Sequence, residues 1–411
     1  MKFKIQMQKI RLLIESYDGQ LPFAVYFKQK CREHKNWGSQ DRRFYRAACY
    51  SWWRLGRSLL GLEFESRWVI SWFLTEQKTS PFWLFWCEEL QNIEVNQETI
   101  LLVQAKKLEI ILEQYPHFDF EVFPFLAELG NSVIHKEWAL HYLTKPLTWI
   151  RLKLQVVQKA SDLLNSLNMD YIQLKPHSIG FLGDVNLEDV GLSSFCEVQD
   201  LNSQKCAESF LEHIPVKTSS KIWDCCSASG GKSLAIMDLA AIQDRSQHLF
   251  VSDIRAEILN NLKTRFAKNG LTHYAFSIQD LSKATKKRVF EQSRADKKVE
   301  IFGAYFDAIW ADVPCTGSGT WGRDPENLSF FDTKKIAQYS NLQLNIVQNA
   351  VVHLNPGGHL FYSTCSVFSE ENELNIQRIC DSLGFKLIQS QLELGVNDRA
   401  DSLFWAVLQK K

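Results

Sequence analysis

The chain has 411 residues, 45% hydrophobic and 23% charged, with 47 basic and 47 acidic side chains. That is material for two or three domains with ample cores, and a formal net charge of zero excludes an overall field that would draw in nucleic acid, leaving such contact to local patches. The ten cysteines form no CxxC pair and match neither a zinc site nor a small disulfide scaffold, so no metal is expected.

In chain order, residues 1–140 are expected to be a helical N-terminal domain, because apolar residues recur at helical spacing and Gly and Pro are sparse. The start, "MKFKIQMQKIRLL", lacks the apolar run of a secretory signal. Together with the many thiols, this predicts a reducing cytoplasm; a monomer is expected. "RWVISWFLTEQKTSPFWLFWCEEL" is strongly apolar, but Arg67, Glu76, Lys78 and Glu88 interrupt it. A span needs about 20 apolar residues, so buried helices are expected here and no membrane contact. Between Tyr26 and Arg57, nine basic residues, Arg42, Arg43, Arg46 and Arg54 among them, alternate with Trp37, Trp52 and Trp53. Lys and Arg supply phosphate contacts and aromatic faces stack on unpaired bases. The plainer alternative, a solvated basic helix face with its tryptophans packed inside, stands beside that one.

Residues 141–215 change texture. "LTWIRL" and "YIQLKPHSIGFL" read as strands, "QKASDLLNSLN" as a helix between them, and "CEVQDLNSQK" as a polar loop. A small α/β module is expected. Residues 216–411 alternate strands ("KIWDCC", "HLFVSD", "YAFSIQD", "FDAIWAD", "HLFYSTC") with helical stretches, and "FKLIQ" and "SLFWAVLQ" add two candidate strands at the end. Alternation of this kind predicts a parallel sheet with helices on both faces. Ligands of such sheets bind at the carboxyl ends of the strands, where Asp224, Asp253, Asp280, Asp312 and Cys365 all fall.

The first turn, "DCCSASGGKS" from Asp224 to Ser233, has too few glycines for a dinucleotide fingerprint. It has Cys226 where a Walker loop needs its first glycine. What survives is a close backbone approach to a ligand at a helix N-terminus, whose free N–H groups suit a carboxylate. Asp253 then falls where a carboxylate commonly takes ribose hydroxyls. Alone it would be read as a helix N-cap. A ligand with an amino-acid carboxylate, a ribose and no phosphate is S-adenosylmethionine.

With a methyl donor assigned, the thiols of "DVPCTGSGTWGRDPE" and "FYSTCS" acquire a use. Addition of a thiolate to carbon 6 of a cytosine makes carbon 5 nucleophilic, which is covalent catalysis. Lys232, Arg323 or a helix N-terminus would favour the thiolate, and Asp312, protonated or through water, could hydrogen-bond ring nitrogen 3. The plainer reading makes Cys315 and Cys365 two small buried hydrophobes.

"WDCCSASGGKS", "VSDIRAEILNNLKTRFAKNGL", "ADVPCTGSGTWGRDPE" and "FYSTCSVFSEENE" resemble the successive motifs of the Sun/Fmu-type RNA cytosine-5 methyltransferases, over roughly Leu147 to the C-terminus. The resemblance implies a Rossmann-like class I methyltransferase sheet. It makes Cys226, Ser227, Ala228, Ser229, Gly230, Gly231 and Lys232 the cofactor loop, and Asp253, Asp280 and Asp312 further contacts to S-adenosylmethionine. It also makes Cys365 the nucleophile and Cys315 an aid to release. The small module resembles the family's RNA-recognition-like subdomain, and "WGSQDRRFYRAACYSWWRLGR" is similar to the NusB-like domain of some members. RNA, ribosomal (16S) RNA first, is the implied partner, with Arg42, Arg43, Arg46 and Arg323 as candidate contacts. One departure is Ser229, where the family usually has Pro. A transfer-RNA enzyme of the same family and a non-catalytic RNA-binding protein on the same fold are the alternatives. A DNA enzyme would use the Pro-Cys thiol as its nucleophile and would not need the second.

Overall fold

The computed structural model describes residues 2–90, 99–130, 138–167, 169–183, 185–215, 219–242, 248–295 and 297–411. Residue 216, where the last expected domain begins, lies outside them. The chain divides into two compact units, one of Met1–Ala127, Val133–Pro146 and Thr320–Asp332, the other of Glu128–Ser132, Leu147–Gly319 and Thr333–Lys411. The small module and the large sheet thus share one unit, whereas the sequence segments separate them.

Among its described residues the first unit contains α1 (Lys2–Glu15), α2 (Phe23–Glu33), α3 (Ser39–Arg54), α4 (Phe64–Thr75), α5 (Pro81–Leu90), α6 (Gln104–Gln114) and one turn of helix at Asn327–Phe330. The apolar stretch that invites a membrane reading is α4 and α5, and no helix among the described residues is long and apolar enough to cross a membrane. Its charge is accommodated by backbone. Arg67 is buried, and its guanidinium donates to the carbonyls of Gly56 and Ser58, each at 3.0 Å. On α3, Tyr45, Ala48 and Cys49 face inward while Arg42, Arg43 and Arg46 are exposed, the three-and-four spacing of an amphipathic helix. Two expectations about this segment resolve differently. Arg54 is not a surface charge; it is buried and donates to the carbonyls of Tyr142 and Gly322 at 2.9 and 2.7 Å. Twelve of the 13 tryptophans, Trp37 and Trp53 included, are core residues; the exception, Trp52, is half-buried, stacked on Phe64 with Arg67 over its ring.

The second unit holds two sheets. The small one has order β2-β3-β1-β4, from β1 (Thr148–Leu152), β2 (Tyr171–Lys175), β3 (Ser178–Phe181) and β4 (Cys196–Val198). Helix α7 (Val157–Ser166) buries Ala160 and Leu164 against Ile150, Leu152, Ile179 and Phe181. "CEVQDLNSQK" is not a loop. It is β4 followed by α8 (Leu201–His213), whose first turn is capped by Asp200 accepting from the Asn202 N–H at 2.9 Å.

The large sheet has order β12-β13-β11-β10-β5-β6-β7-β8-β9. Its parallel centre is β5 (Lys221–Asp224), β6 (His248–Asp253), β7 (Ala275–Ile278), β10 (Phe306–Asp312) and β11 (Leu354–Thr364). These are the five strands expected from the alternation. β12 (Phe385–Glu393) and β13 (Leu403–Lys410) add antiparallel on one side. On the other side the hairpin β8 (Lys287–Gln292) and β9 (Lys298–Phe302) adds a pair the sequence reading does not contain. Side chains alternate between two cores, as the period of two requires. Trp223, Ile309, Ala311, Leu360 and Tyr362 enter the one that also holds residues of α11 (Lys334–Val351) and α12 (Glu373–Leu383). Ile222, Ala308, Trp310 and Phe361 enter the one shared with α8 and α9 (Gly231–Ile242). With both faces dry, the only place left for polar chemistry is the rim. Asp224, Asp253 and Asp312 are the last residues of β5, β6 and β10, Asp280 comes two residues after β7, and Cys365 one after β11.

Candidate active site

The turn after β5 is held open by backbone geometry. Ala228 and Gly230 both have positive φ, +46° and +79°, and the turn closes with the Gly230 N–H on the Ser227 carbonyl at 2.8 Å. A Cβ on Gly230 would lie 2.5 Å from the Phe266 ring and 2.9 Å from Leu262, so only glycine brings the turn this close to α10 (Ala256–Lys268). Ser227 donates its N–H and hydroxyl to the Ser252 carbonyl, and the Ala228 N–H donates to Asp253 Oδ2 at 3.0 Å. These bonds join the turn to the end of β6, and α9 begins directly after the turn at Gly231.

Beside the turn is a cleft of about 360 Å³. Its lining includes Cys226, Ala228, Asp253, Ile254, Asp280 and Asp312. Ile254 is an exposed apolar side chain between two rim carboxylates. Asp253 itself is almost covered, and its carboxyl lies below the ordinary value. Burial opposes that shift, and the Arg255 and Ala228 donors outweigh it. Arg255 donates its N–H and Nε to Oδ1, each at 2.9 Å, and Nη2 to Oδ2 at 3.0 Å. With Ala228, all four lone-pair sites of the carboxylate are used. A further donor to Asp253 would have to displace the Arg255 side chain, which is 58% exposed and so costs little to move. Asp280 is engaged by the Ser282 N–H and hydroxyl and by Lys283 at 3.0 Å, which hold its carboxyl below its ordinary value. Gln279, next to it, also lines the cleft and is a residue the sequence reading passes over. Its position directly after β7 was the available signal.

Lys232 and Asp312 pair at 2.6 Å. Burial would lower the Lys232 pKa, but Asp312, Cys206 and Cys365 raise it above the ordinary value. Asp312 accepts on both oxygens, from Lys232 on Oδ2 and from the Ser363 hydroxyl on Oδ1 at 2.7 Å. Asp224 sits deeper, with Ser233 donating to it at 2.5 Å, and burial pushes its pKa up to about 7.

The two thiols meet. Cys315 Sγ and Cys365 Sγ are 3.2 Å apart, though fifty positions separate them in the chain. Parallel pairing of β10 and β11 aligns Asp312 with Ser363, so the two loops leave the sheet side by side. Gly319 closes the arrangement: its N–H donates to the Cys365 carbonyl at 2.8 Å and its carbonyl accepts from the Ser402 N–H at 2.9 Å. A Cβ there would lie 2.1 Å from the Ser402 oxygen, which explains the glycine in "CTGSG". The hydrogen bond with Cys365, with burial behind it, holds the Cys315 pKa well above the ordinary thiol value.

Ser229 is tied to the small sheet. Its hydroxyl accepts from Arg265 Nη1 at 3.2 Å, and Arg265 Nε pairs with Glu197 of β4 at 2.6 Å. A hydroxyl anchored from outside thus stands where the family's Pro would stiffen the turn from within. Arg42, Arg43 and Arg46 lie on α3 and Arg323 on the Thr320–Asp332 segment, all in the first unit.

The family model described as 16S rRNA methyltransferase RsmB/F matches residues 213–395. Ribosomal RNA small subunit methyltransferase F of Shewanella loihica is 30% identical over 168 residues, 40% of this chain and 30% of that protein. Ribosomal RNA small subunit methyltransferase B of Proteus mirabilis is 28% identical over 215 residues, 52% of this chain and 46% of that protein. The chain thus spans less than half the length of either relative. The crystal structure of PH0851 superposes with a TM-score of 0.66 at 18% identity, covering 98% of each chain. The chain shares the fold of that structure, and the described secondary structure of the first unit is helical.

Proposed function

We propose, for a chain whose residues 213–395 match the RsmB/F methyltransferase model, that it methylates carbon 5 of a cytosine in RNA with S-adenosylmethionine as donor. The relatives' names make ribosomal RNA of the small subunit the substrate to test first, acted on in the cytoplasm by a monomer.

The cleft suits that donor. The N-terminus of α9 offers N–H groups to a carboxylate, Asp253 offers a carboxylate to ribose hydroxyls, and Ile254, Leu281 and Ile346 are an apolar lining with Asp280 at its edge. When bound, S-adenosylmethionine supplies an electrophilic methyl group. The chain's own part is covalent. Cys365 adds through Sγ to carbon 6 of the base, which places a nucleophilic electron pair on carbon 5. Lys232 keeps positive charge near that thiol, and Asp312 keeps Lys232 in place. After methylation, loss of the carbon 5 proton to a base lets the Cys365 thiolate leave, with Cys315 assisting. Arg42, Arg43, Arg46 and Arg323 contribute phosphate contacts.

The observation that carries the reading is the 3.2 Å thiol pair beside a cleft lined by three rim carboxylates. A non-catalytic RNA-binding protein has no use for it. The test uses 16S ribosomal RNA, labelled S-adenosylmethionine and denaturing gels. Cys365→Ser should give neither 5-methylcytosine nor adduct, while Cys315→Ser should accumulate a heat-stable protein–RNA band. An adduct in Cys365→Ser and none in Cys315→Ser would reverse the two roles, and unchanged activity in both would reduce the thiols to packing.

A further inference from the structure

Directly beneath the thiol pair lies a carboxylate that the proposed chemistry does not use. Glu371 is fully buried. Its Oε1 accepts from the Thr316 N–H at 2.9 Å and from Gln343 Nε2 at 2.8 Å; its Oε2 accepts from the Thr316 hydroxyl at 2.5 Å and from the Ser366 hydroxyl. Thr316 follows Cys315 and Ser366 follows Cys365, so one side chain grips the residue after each thiol. The same Gln343 amide also donates to the Pro314 carbonyl at 3.0 Å, and Tyr362 donates to the Glu371 carbonyl at 2.6 Å. Burial raises the Glu371 pKa above its ordinary value, and the four donors on the carboxylate oppose that rise and favour its charged form. An anion buried at this depth is costly, and a structural link alone would be met by a neutral amide.

The charges around the two thiols are unequal. Glu371 takes two hydrogen bonds from Thr316, the residue after Cys315, and one from Ser366, the residue after Cys365, while the nearby cation Lys232 is paired with Asp312. The other ionisable groups packed against the pair are Asp312, held by Lys232, and the Tyr362 hydroxyl.

We propose that Glu371 is the positioning residue of the thiol pair: it clamps the two loops so that the sulfurs meet, and its negative charge disfavours a second negative charge on Cys315. This rests on the reading of Cys315 and Cys365 as a reactive pair, but its test needs neither RNA nor cofactor. Burial and the bond to Cys365 raise the Cys315 pKa first, and the Glu371 charge adds to them.

The full-length chain is compared with Glu371→Gln, which keeps the shape of the side chain and, with the Thr316 and Ser366 hydroxyls turned to accept from its amide, its links to both loops, and with Glu371→Ala, which keeps neither. In the first arm both the parent and Glu371→Gln carry Cys365→Ser. Alkylation of Cys315 by iodoacetamide is followed against pH by mass spectrometry of its peptide. Removing the charge should make Cys315 react about tenfold faster at a fixed pH below its midpoint, equal to a fall of about one unit. Identical profiles would overturn the electrostatic half. In the second arm both thiols are present and diamide is the oxidant, two thiols giving a disulfide as diamide takes up two hydrogens. Glu371→Ala should form the Cys315–Cys365 disulfide at least tenfold more slowly than wild type, with S-adenosylhomocysteine affinity unchanged. Equal rates would overturn the clamp. If both arms behave as expected while no RNA is methylated, the clamp stands and the proposed reaction falls.

Discussion

Replacing Gly230 by Ala tests the geometry of the cofactor turn. The residue has φ +79°, and the added Cβ would meet Phe266 at 2.5 Å and Leu262 at 2.9 Å, both buried side chains of α10. The left-handed conformation costs an alanine about 1–2 kcal/mol, and forcing a methyl into a packed interface costs about 1–3 kcal/mol more. The sum is about 2–5 kcal/mol. Gly270→Ala separates the terms. Gly270 has φ +73° with nothing within 4 Å of its Cβ position, so it should lose only the first, about 1–2 kcal/mol. In a unit of this size each kcal/mol lowers the melting temperature by roughly 2–4 °C, so thermal and urea unfolding resolve the difference. Cofactor titration adds a second readout: affinity should fall at least tenfold in Gly230→Ala, because the Ala228 N–H moves off Asp253, and stay unchanged in Gly270→Ala. If the two variants melt at the same temperature, the close approach to α10 is not what demands glycine, and the argument for the turn fails.

Asp224→Asn should change the dependence of stability on pH. A carboxyl at about 7 in the fold and about 3.9 in the unfolded chain contributes most below pH 4 and loses its contribution as pH rises to 7. Urea titrations from pH 4 to 7 should therefore show a shallower fall for the variant, and parallel slopes would refute it. Arg265→Gln leaves Glu197 with the Asn269 amide as its remaining side-chain donor, so it should cost about 1.5–3 kcal/mol and weaken cofactor binding severalfold through the loosened Ser229, whereas Ser229→Ala should cost under about 1 kcal/mol; equal losses in urea unfolding would refute the anchoring role. Neutralising Arg42, Arg43 and Arg46 together should flatten the salt dependence of RNA binding by about three counterions, measured by filter binding, with cofactor affinity unchanged; an unaltered slope would make that face of α3 a solvated surface only.

Local pattern was enough for the parts of this protein that repeat along the chain. The five parallel strands, their helices and the polar residues at their ends are legible because burial on both faces demands continuous apolar runs, and a run must stop where polar chemistry begins. The two Cys motifs were legible in the same way, each one short step beyond such a run. What local pattern does not carry is a partner far away in sequence. "CEVQDLNSQK" looks polar because its strand is three residues long and its helix buries Asn202 and Gln204; only β1 and the main body of the unit supply the reason. The β8–β9 hairpin hides because charged residues alternate with Phe290 and Ile301, which reach the core only after the sheet forms. Arg54 reads as one more surface cation until distant carbonyls gather around it. Glu371 is the sharpest case. In "SEENE" it is one of three glutamates on what reads as the exposed start of a helix, yet that helix begins at Glu373 and the residue is buried. An anion can occupy such a place only when donors from several elements converge on it, and that convergence is a property of the folded chain, not of any segment of it.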